Sequence, residues 1–280
     1  MARGWIVARL ANPCGQGETE ATVVTNGTAK LASDTAIRLD AAERRLLARM
    51  PLHAITSVHG EAGLRGRLFL EIAQFPAADR GRVMDALALA SRLHAGDRRQ
   101  REPYVNHLLR VTIRILSHYQ VADPDVACAA LLHDAVEDHA EDIAPGQGRE
   151  GAVAVLAGQF GERTAELVAA LTNPVYGSGR DKDEQYREHV TASLDASPCA
   201  RIIKASDFTD NGVGVIHTTG PKAVRLAGKY APLVPVRSSL IARPDTPLSP
   251  YIKVRVLAQL RAAQERFTAI TATAADSTLL

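Results

Sequence analysis

The strongest constraint on this chain is an apolar helical stretch at residues 125–138 that carries a cluster of polar side chains. Apolar residues recur there at three- and four-residue intervals, and the preceding Asp123-Pro124 is typical of a helix start. On one continuous helix, residues three and four positions apart share a face. The polar residues that this spacing gathers beside the buried face are His133, Asp134, Glu137 and Asp138.

A divalent metal ion explains such a cluster, because buried carboxylates without partners are strongly unfavourable and imidazole and carboxylate ligate transition metals. A lone His-Asp pair is common by chance and also fits a helix end with a solvated acidic edge. Two further elements favour the metal: Glu102–His107 upstream, and Lys204–Asp207 downstream with Asn211 four residues later. A site built from three predicted helices would then contain His107, His133, Asp134 and Asp207.

The rest of the chain predicts an all-α fold, because helical apolar spacing continues from about residue 79 and no alternating strand pattern interrupts it. Ala200–Ile203 fits either a strand or a buried helix, and the glycines at 60, 63 and 66 predict a loop. The predicted units are an N-terminal extension of uncertain structure (1–78), a helical bundle (79–270) and a tail (271–280). Further helices are predicted at 39–50, 151–171, 182–194, 221–230 and 250–267, and a hairpin or a frayed extension at 5–25.

Charge and hydropathy exclude several classes of partner. Lys plus Arg number 33 and Asp plus Glu 31, a net charge of +2 that argues against a dedicated nucleic-acid binder and against an electrostatic membrane anchor. No apolar run approaches the roughly 18 residues of a membrane span. The N-terminal apolar run, Trp5–Ala8, is too short for a secretory signal. We therefore expect a cytoplasmic protein with a small-molecule substrate, and the sequence leaves open whether it forms a homo-oligomer.

The ordered motifs resemble those of HD-domain phosphohydrolases, and within them the hydrolase domain of the RelA/SpoT alarmone enzymes. The resemblance covers roughly residues 85–240, and it is closest at Ala129–Asp138, the family's signature. The other matching elements are His94-Ala95-Gly96 with Arg98 and Arg99, Glu102–His107, Phe160-Gly161, Leu167–Thr172, the Lys204, Asp207 and Asn211 element, and Tyr230–Leu233.

The resemblance implies an all-α HD-domain bundle that hydrolyses a nucleotide, with removal of pyrophosphate from the 3′ position of guanosine tetra- or pentaphosphate as the expected reaction. Glu137 and Asp138 would position and activate the attacking water. One divalent ion, Mn²⁺ or alternatively Fe, Co or Zn, would be held by His107, His133, Asp134 and Asp207. The nucleotide would be contacted by Arg98, Arg99, Lys204 and Asn211. Only 40 residues follow Leu240, too few for a synthetase domain, so we expect a stand-alone hydrolase.

Four departures from the family pattern keep other functions open. The loop Arg99–Glu102 is one residue shorter, Leu108 replaces a proline, Phe208 replaces a basic residue, and Val213-Gly214 replaces Arg-Thr. The alternatives are an HD phosphohydrolase for another nucleotide and a non-catalytic nucleotide-binding regulator. Two histidines near the motifs are not predicted as ligands. His94 is expected to be structural or to support the ligands, and His139 to cap a helix or face solvent.

Overall fold

The computed structural model describes residues 39–99, 102–215 and 220–278, and the hairpin considered for residues 5–25 lies outside them. The described chain is almost entirely helical, which confirms the predicted all-α class. The helices are α1 Ala41–Arg49, α2 Leu52–Ile72, α3 Ala77–Leu93, α4 Val105–Ile113 with a π-helical turn Arg114–His118, α5 Pro124–Leu132, α6 Ala135–Ile143, α7 Gly148–Phe160, α8 Glu162–Leu171, α9 Lys182–Ala196, α10 Pro198–Val215, α11 Pro221–Tyr230, α12 Leu233–Ala242 and α13 Pro250–Thr278.

Two short strands form a minimal antiparallel ladder before α4. Strands β1 (Arg98–Arg99) and β2 (Glu102–Pro103) pair Arg98 with Pro103 and Arg99 with Glu102. The sequence shows no alternating pattern here, because strands of two residues are too short for one to appear. The ambiguous stretch Ala200–Ile203 is helical, inside α10. Within the described residues, no helix is both long and apolar enough to cross a membrane.

The glycine-rich stretch 60–66 is helical, so the predicted loop was wrong. Only Gly60 departs from helical geometry, with φ of 59°, and α2 continues beyond it to Ile72. Gly66 is buried, and a β-carbon there would lie 3.2 Å from the side chain of Leu47 on α1. Such contacts are tight, so the missing side chain lets α1 lie close against α2. The glycine that suggested a break in the helix therefore serves a close contact between two helices.

The helices before residue 79 share a hydrophobic core with those after it. Leu64, Leu68 and Ile72 of α2 are fully buried and belong to the same core cluster as Leu108 and Leu109 of α4. At the other end, α13 continues to Thr278, into the segment 271–280 that the sequence separated as a tail. The boundary between residues 78 and 79 stays a prediction, and the shared core provides a way to test it.

Two breaks between consecutive helices shape the interior. The pattern at 151–171 predicted continuous helix, but Gly161 has φ of 92° and separates α7 from α8. The continuous helix predicted over 125–138 was also wrong, because α5 ends at Leu132 and α6 begins at Ala135. The predicted start was correct: Asp123 caps α5 through its side chain, and Pro124 occupies the first turn.

We expect Leu64→Ala to lower the free energy of unfolding of the whole bundle by about 2–5 kcal/mol, the usual cost of such a core truncation. Chemical denaturation followed by circular dichroism would measure it. Val58→Ala, on the same helix at a position 68% exposed, is the matched control and should change stability little. If residues 39–78 were an independent extension, Leu64→Ala would leave the main unfolding transition unchanged.

Candidate metal centre

Three buried side chains from separate helices converge in the interior of the bundle. His107 lies on α4, His133 directly follows α5, and Asp207 lies on α10. One ligand atom from each residue lies within 4.8 Å of the others. Oδ1 of Asp207 is 3.4 Å from Nε2 of His107 and 3.9 Å from Nε2 of His133. The structure thus brings together three of the four residues predicted to bind the metal.

The fourth predicted ligand, Asp134, lies beside this group. Its Oδ2 is 3.0 Å from Nε2 of His133, and it accepts a 2.7 Å hydrogen bond from the Tyr104 hydroxyl. The break between α5 and α6 sets this position, because Asp134 is the residue that precedes the first turn of α6. The predicted single helix face that would join His133 to Glu137 is therefore absent, although His133 and Asp134 still point into one site.

The hydrogen bonds of the two histidines show why a cation fits here. Nδ1 of His133 donates to the carbonyl of Ala130 at 2.9 Å, and Nδ1 of His107 donates to Asp210 at 2.9 Å. In neutral imidazoles, both Nε2 atoms then present lone pairs toward carboxylates. Nε2 of His133 is buried without an aligned hydrogen-bond donor among the described residues. Two imidazole nitrogens and two carboxylates form a suitable set for one divalent transition metal.

The charges of the same residues favour a positive charge at this centre. Burial lowers the pKa of His133, but the carboxylates of Asp134 and Asp207 outweigh it and raise the pKa overall. Burial raises the pKa of Asp207, but Lys204 and the two histidines hold it well below its usual value. Both carboxylates are therefore ionised at neutral pH, and a proton on His133 or a bound metal cation can balance them.

Asp210 was missed by the sequence analysis, and it fixes the orientation of His107. Besides accepting from Nδ1 of His107, it accepts from Arg110 at 2.9 Å and from Arg114 at 3.1 Å. Burial raises the pKa of Asp210, but the hydrogen bonds from His107 and Arg110 keep it well below its usual value. Arg110 in turn forms a two-bond ion pair with Glu102 on β2, at 2.8 and 2.7 Å. The only sequence signal was an acidic residue one helical turn after Asp207.

The two acids predicted to act on water differ in their surroundings. Glu137 accepts hydrogen bonds from the backbone and side-chain nitrogens of Asn173, at 3.1 and 2.9 Å, which fix its carboxylate. Asp138 reaches the surface, yet partial burial of its carboxyl group and the nearby Asp134 and Glu137 raise its pKa to about 6. A carboxyl group with such a pKa can exchange a proton near neutral pH.

Three of the four predicted nucleotide contacts lie at or next to this centre. Asn211 donates to Asp207 at 2.7 Å and accepts from Arg99, whose guanidinium also lies 5.6 Å from the ring of Tyr104. Lys204 is buried, with Nζ 3.4 Å from Asp207, and it lines a small cavity with Asn173. Arg98, the fourth, is exposed on β1 and forms no side-chain bond to the centre among the described residues.

The substituted position Phe208 has an apolar and cationic environment. Its ring lies 5.7 Å from that of Tyr230, and the guanidinium of Arg237 lies 4.4 Å from its centroid. Arg237 is buried and donates to the carbonyl of Lys204 at 2.7 Å. A positive charge is thus retained beside Phe208, although it comes from another helix, α12.

Comparison with known proteins agrees with the geometry. Residues 86–192 match the family model described as HD domain, and this span contains His107, His133, Asp134, Glu137 and Asp138. These residues are therefore similar to HD domains. A solved structure titled "A metazoan ortholog of SpoT hydrolyzes ppGpp" superposes with a TM-score of 0.51 at 23% identity, over 68% of this chain and 98% of that chain. This likeness confirms the fold.

Two curated proteins resemble this chain in sequence. The chain is 29% identical over 143 residues to guanosine-3′,5′-bis(diphosphate) 3′-pyrophosphohydrolase MESH1 of Drosophila melanogaster. This alignment covers 50% of this chain and 71% of that protein. It is 30% identical over 129 residues to the protein of the same name from Danio rerio, covering 45% of this chain and 64% of that one. The predicted resemblance to HD-domain (p)ppGpp hydrolases is confirmed.

We expect Asp210→Asn to weaken Mn²⁺ binding by about 10–100-fold, because the amide no longer holds His107 by a charged hydrogen bond. Competition with a chelating metal indicator would measure the affinity. The matched control is Asp85→Asn on the exposed side of α3, which should bind Mn²⁺ as the native protein does. Unchanged affinity in Asp210→Asn would show that His107 does not depend on this contact for binding the ion.

Proposed function

We propose that this HD domain hydrolyses the 3′-pyrophosphate of guanosine tetra- or pentaphosphate, the alarmones of the stringent response, in a metal-dependent reaction. Water is consumed, the bond between phosphorus and the 3′ oxygen breaks, and the products are pyrophosphate and GDP or GTP. The observation that carries this proposal is the convergence of His107, His133 and Asp207, with Glu137 and Asp138 on the helix that follows Asp134, in a chain similar to two enzymes named for this activity.

The four residues that would hold the ion are His107, His133, Asp134 and Asp207, and Mn²⁺ is the metal we assign. A bound divalent ion lowers the pKa of water and offsets charge on the phosphoryl oxygens. Zn²⁺, Fe²⁺ and Co²⁺ suit the same ligands, so the ligand set supports a divalent metal and the choice of Mn²⁺ is a separate proposal. Location in the cytoplasm likewise stays a prediction of the sequence.

Glu137 and Asp138 supply the proton chemistry in this proposal. Asn173 fixes Glu137 with two hydrogen bonds, so its carboxylate can orient a water without a large loss of side-chain entropy. Asp138, with a pKa of about 6, can take up the proton that the water loses. Glu137 thereby orients the water and accepts its proton first, and Asp138 receives that proton from Glu137.

Arg99 and Asn211 provide the nucleotide contacts. Arg99 reaches the centre from the short β-ladder, and Asn211 joins it to the ligand Asp207. Guanidinium groups bind phosphate through paired hydrogen bonds, so Arg99 can hold a phosphate near the ion. Lys204 balances the charge of Asp207 from the buried side. The shortened loop and Phe208 alter this side of the site, which favours an HD phosphohydrolase for another nucleotide as the second candidate.

We expect Glu137→Gln to reduce turnover by about 10²–10⁴-fold while Mn²⁺ occupancy is retained, because the amide cannot act as a base toward the water. Steady-state hydrolysis and metal analysis of the same samples would measure both quantities. Glu166→Gln, on the exposed side of α8, is the matched control. Native-like turnover in Glu137→Gln would assign the proton chemistry to Asp138 alone or contradict the proposed reaction.

A substrate panel tests the nucleotide assignment. With Mn²⁺ present, we expect guanosine 3′-pyrophosphates to be hydrolysed in preference to adenosine 3′-pyrophosphates, ordinary nucleotides and cyclic dinucleotides, and activity to disappear with a chelator. Asn211→Ala should chiefly raise KM, because a lost ground-state contact weakens binding of substrate and transition state alike. Preference for another nucleotide would support the second candidate. Binding of nucleotides without turnover would support a regulator.

A further inference from the structure

We propose that His94, Asp97 and His139 form a second divalent-metal site, which binds Zn²⁺ separately from the HD-motif centre. These residues come from the end of α3, the turn that follows it, and α6. Among the described residues, they are the one other group, besides His107, His133 and Asp207, in which at least three His, Cys, Asp or Glu residues offer ligand atoms within 4.8 Å of one another.

Both imidazoles approach the same carboxylate oxygen. Nδ1 of His94 lies 2.7 Å and Nε2 of His139 lies 2.8 Å from Oδ2 of Asp97. Tetrahedral Zn²⁺ with ligand distances of about 2.0–2.1 Å separates its ligand atoms by about 3.3 Å. To admit the ion, the distance from Oδ2 of Asp97 to each imidazole nitrogen must therefore increase by roughly 0.6 Å. The side chain of Asp97 is 39% exposed and can make this shift without disturbing the core.

Neighbouring side chains hold both histidines in position. His94 is buried, and its ring stacks on that of Tyr104 with centroids 4.7 Å apart. α6 departs from helical geometry at His139, and Nδ1 of this residue lies 3.0 Å from Asp142. A carboxylate on the far nitrogen of a ligating histidine fixes its tautomer and strengthens its binding to metal. Asp142 stands in that relation to His139.

The ligand types and the access to solvent at this group suit a cation. Two imidazoles and one carboxylate, with a further position open to water, are a common ligand set of zinc sites. Asp97 and His139 are both accessible to solvent, so an ion can enter directly.

The proposed site is distinct from the first centre, although one residue touches both. Tyr104 stacks on His94, and its hydroxyl donates to Asp134. None of the three proposed ligands belongs to the first centre, so removal of one site by substitution leaves the ligands of the other intact. His94 and His139 were expected to support ligands or to face solvent, and their shared contact with Asp97 is the feature that sequence spacing did not show.

Zinc stoichiometry of the full chain tests this proposal. The protein is stripped with a chelator, dialysed against Zn²⁺, freed of unbound ion and analysed by mass spectrometry of the metal. We expect two equivalents in the native protein and one in Asp97→Asn and His139→Asn. The matched control, His53→Asn on the exposed side of α2, should retain two. Asp97→Asn keeps the size of the side chain, so it decides the question if His139→Asn does not fold.

The variant His133→Ala separates this proposal from the assignment of the first centre. It should also bind one equivalent, and adding Asp97→Asn to it should abolish binding. If the native protein bound one equivalent and Asp97→Asn bound none, the result would support the second site and contradict the assignment of the first centre. Equal zinc content in the native protein, Asp97→Asn and His139→Asn would overturn the proposal. Co²⁺ absorption provides an independent check, since the band lost in Asp97→Asn should differ from that lost in His133→Ala.

Discussion

Two carboxylates one helical turn apart on α10, those of Asp207 and Asp210, are almost fully shielded from solvent where α10 packs against α4, and the geometry of the candidate metal centre depends on how their charge is balanced. Lys204 faces Asp207, while Arg110 and Arg114 face Asp210. Removing one partner of such a buried pair typically costs about 3–5 kcal/mol, because the remaining charge is left without compensation. The same ion pairs that make these acids tolerable in the interior therefore also fix where the ligands lie.

The ends of two helices position the remaining side chains of the candidate centre. The interruption after Leu132 places His133 opposite Asp207 and Asp134 beside His133, and α6 then carries Glu137 toward Asn173, which follows α8. Each functional side chain thus has a second contact that limits its rotation. Such support is what allows catalytic groups to act without reorganisation during the reaction.

The sequence predicted the fold class, and it named the three residues that converge at the candidate centre, because both results depend on local patterns and on ordered motifs. It failed where the outcome depends on contacts between distant segments. The helix break at His133–Asp134 follows a run of Ala and Leu with high helix propensity, so nothing local marks it. Gly66 is a loop signal in isolation and a packing contact in the fold. Asp210 looks like any acid on a helix surface until α4, about one hundred residues earlier, supplies Arg110.

The chain of contacts from Glu102 through Arg110 and Asp210 to His107 also has an evolutionary consequence. The loop that presents Arg99 and the histidine assigned to the proposed metal site share one ion-pair network, so they cannot vary independently. Loss of Arg110 alone would leave two acids facing each other without their shared cation. Divergence in nucleotide preference through this loop should therefore proceed by paired replacements at 102, 110 and 210, which would appear in relatives as correlated substitutions across two helices and a strand.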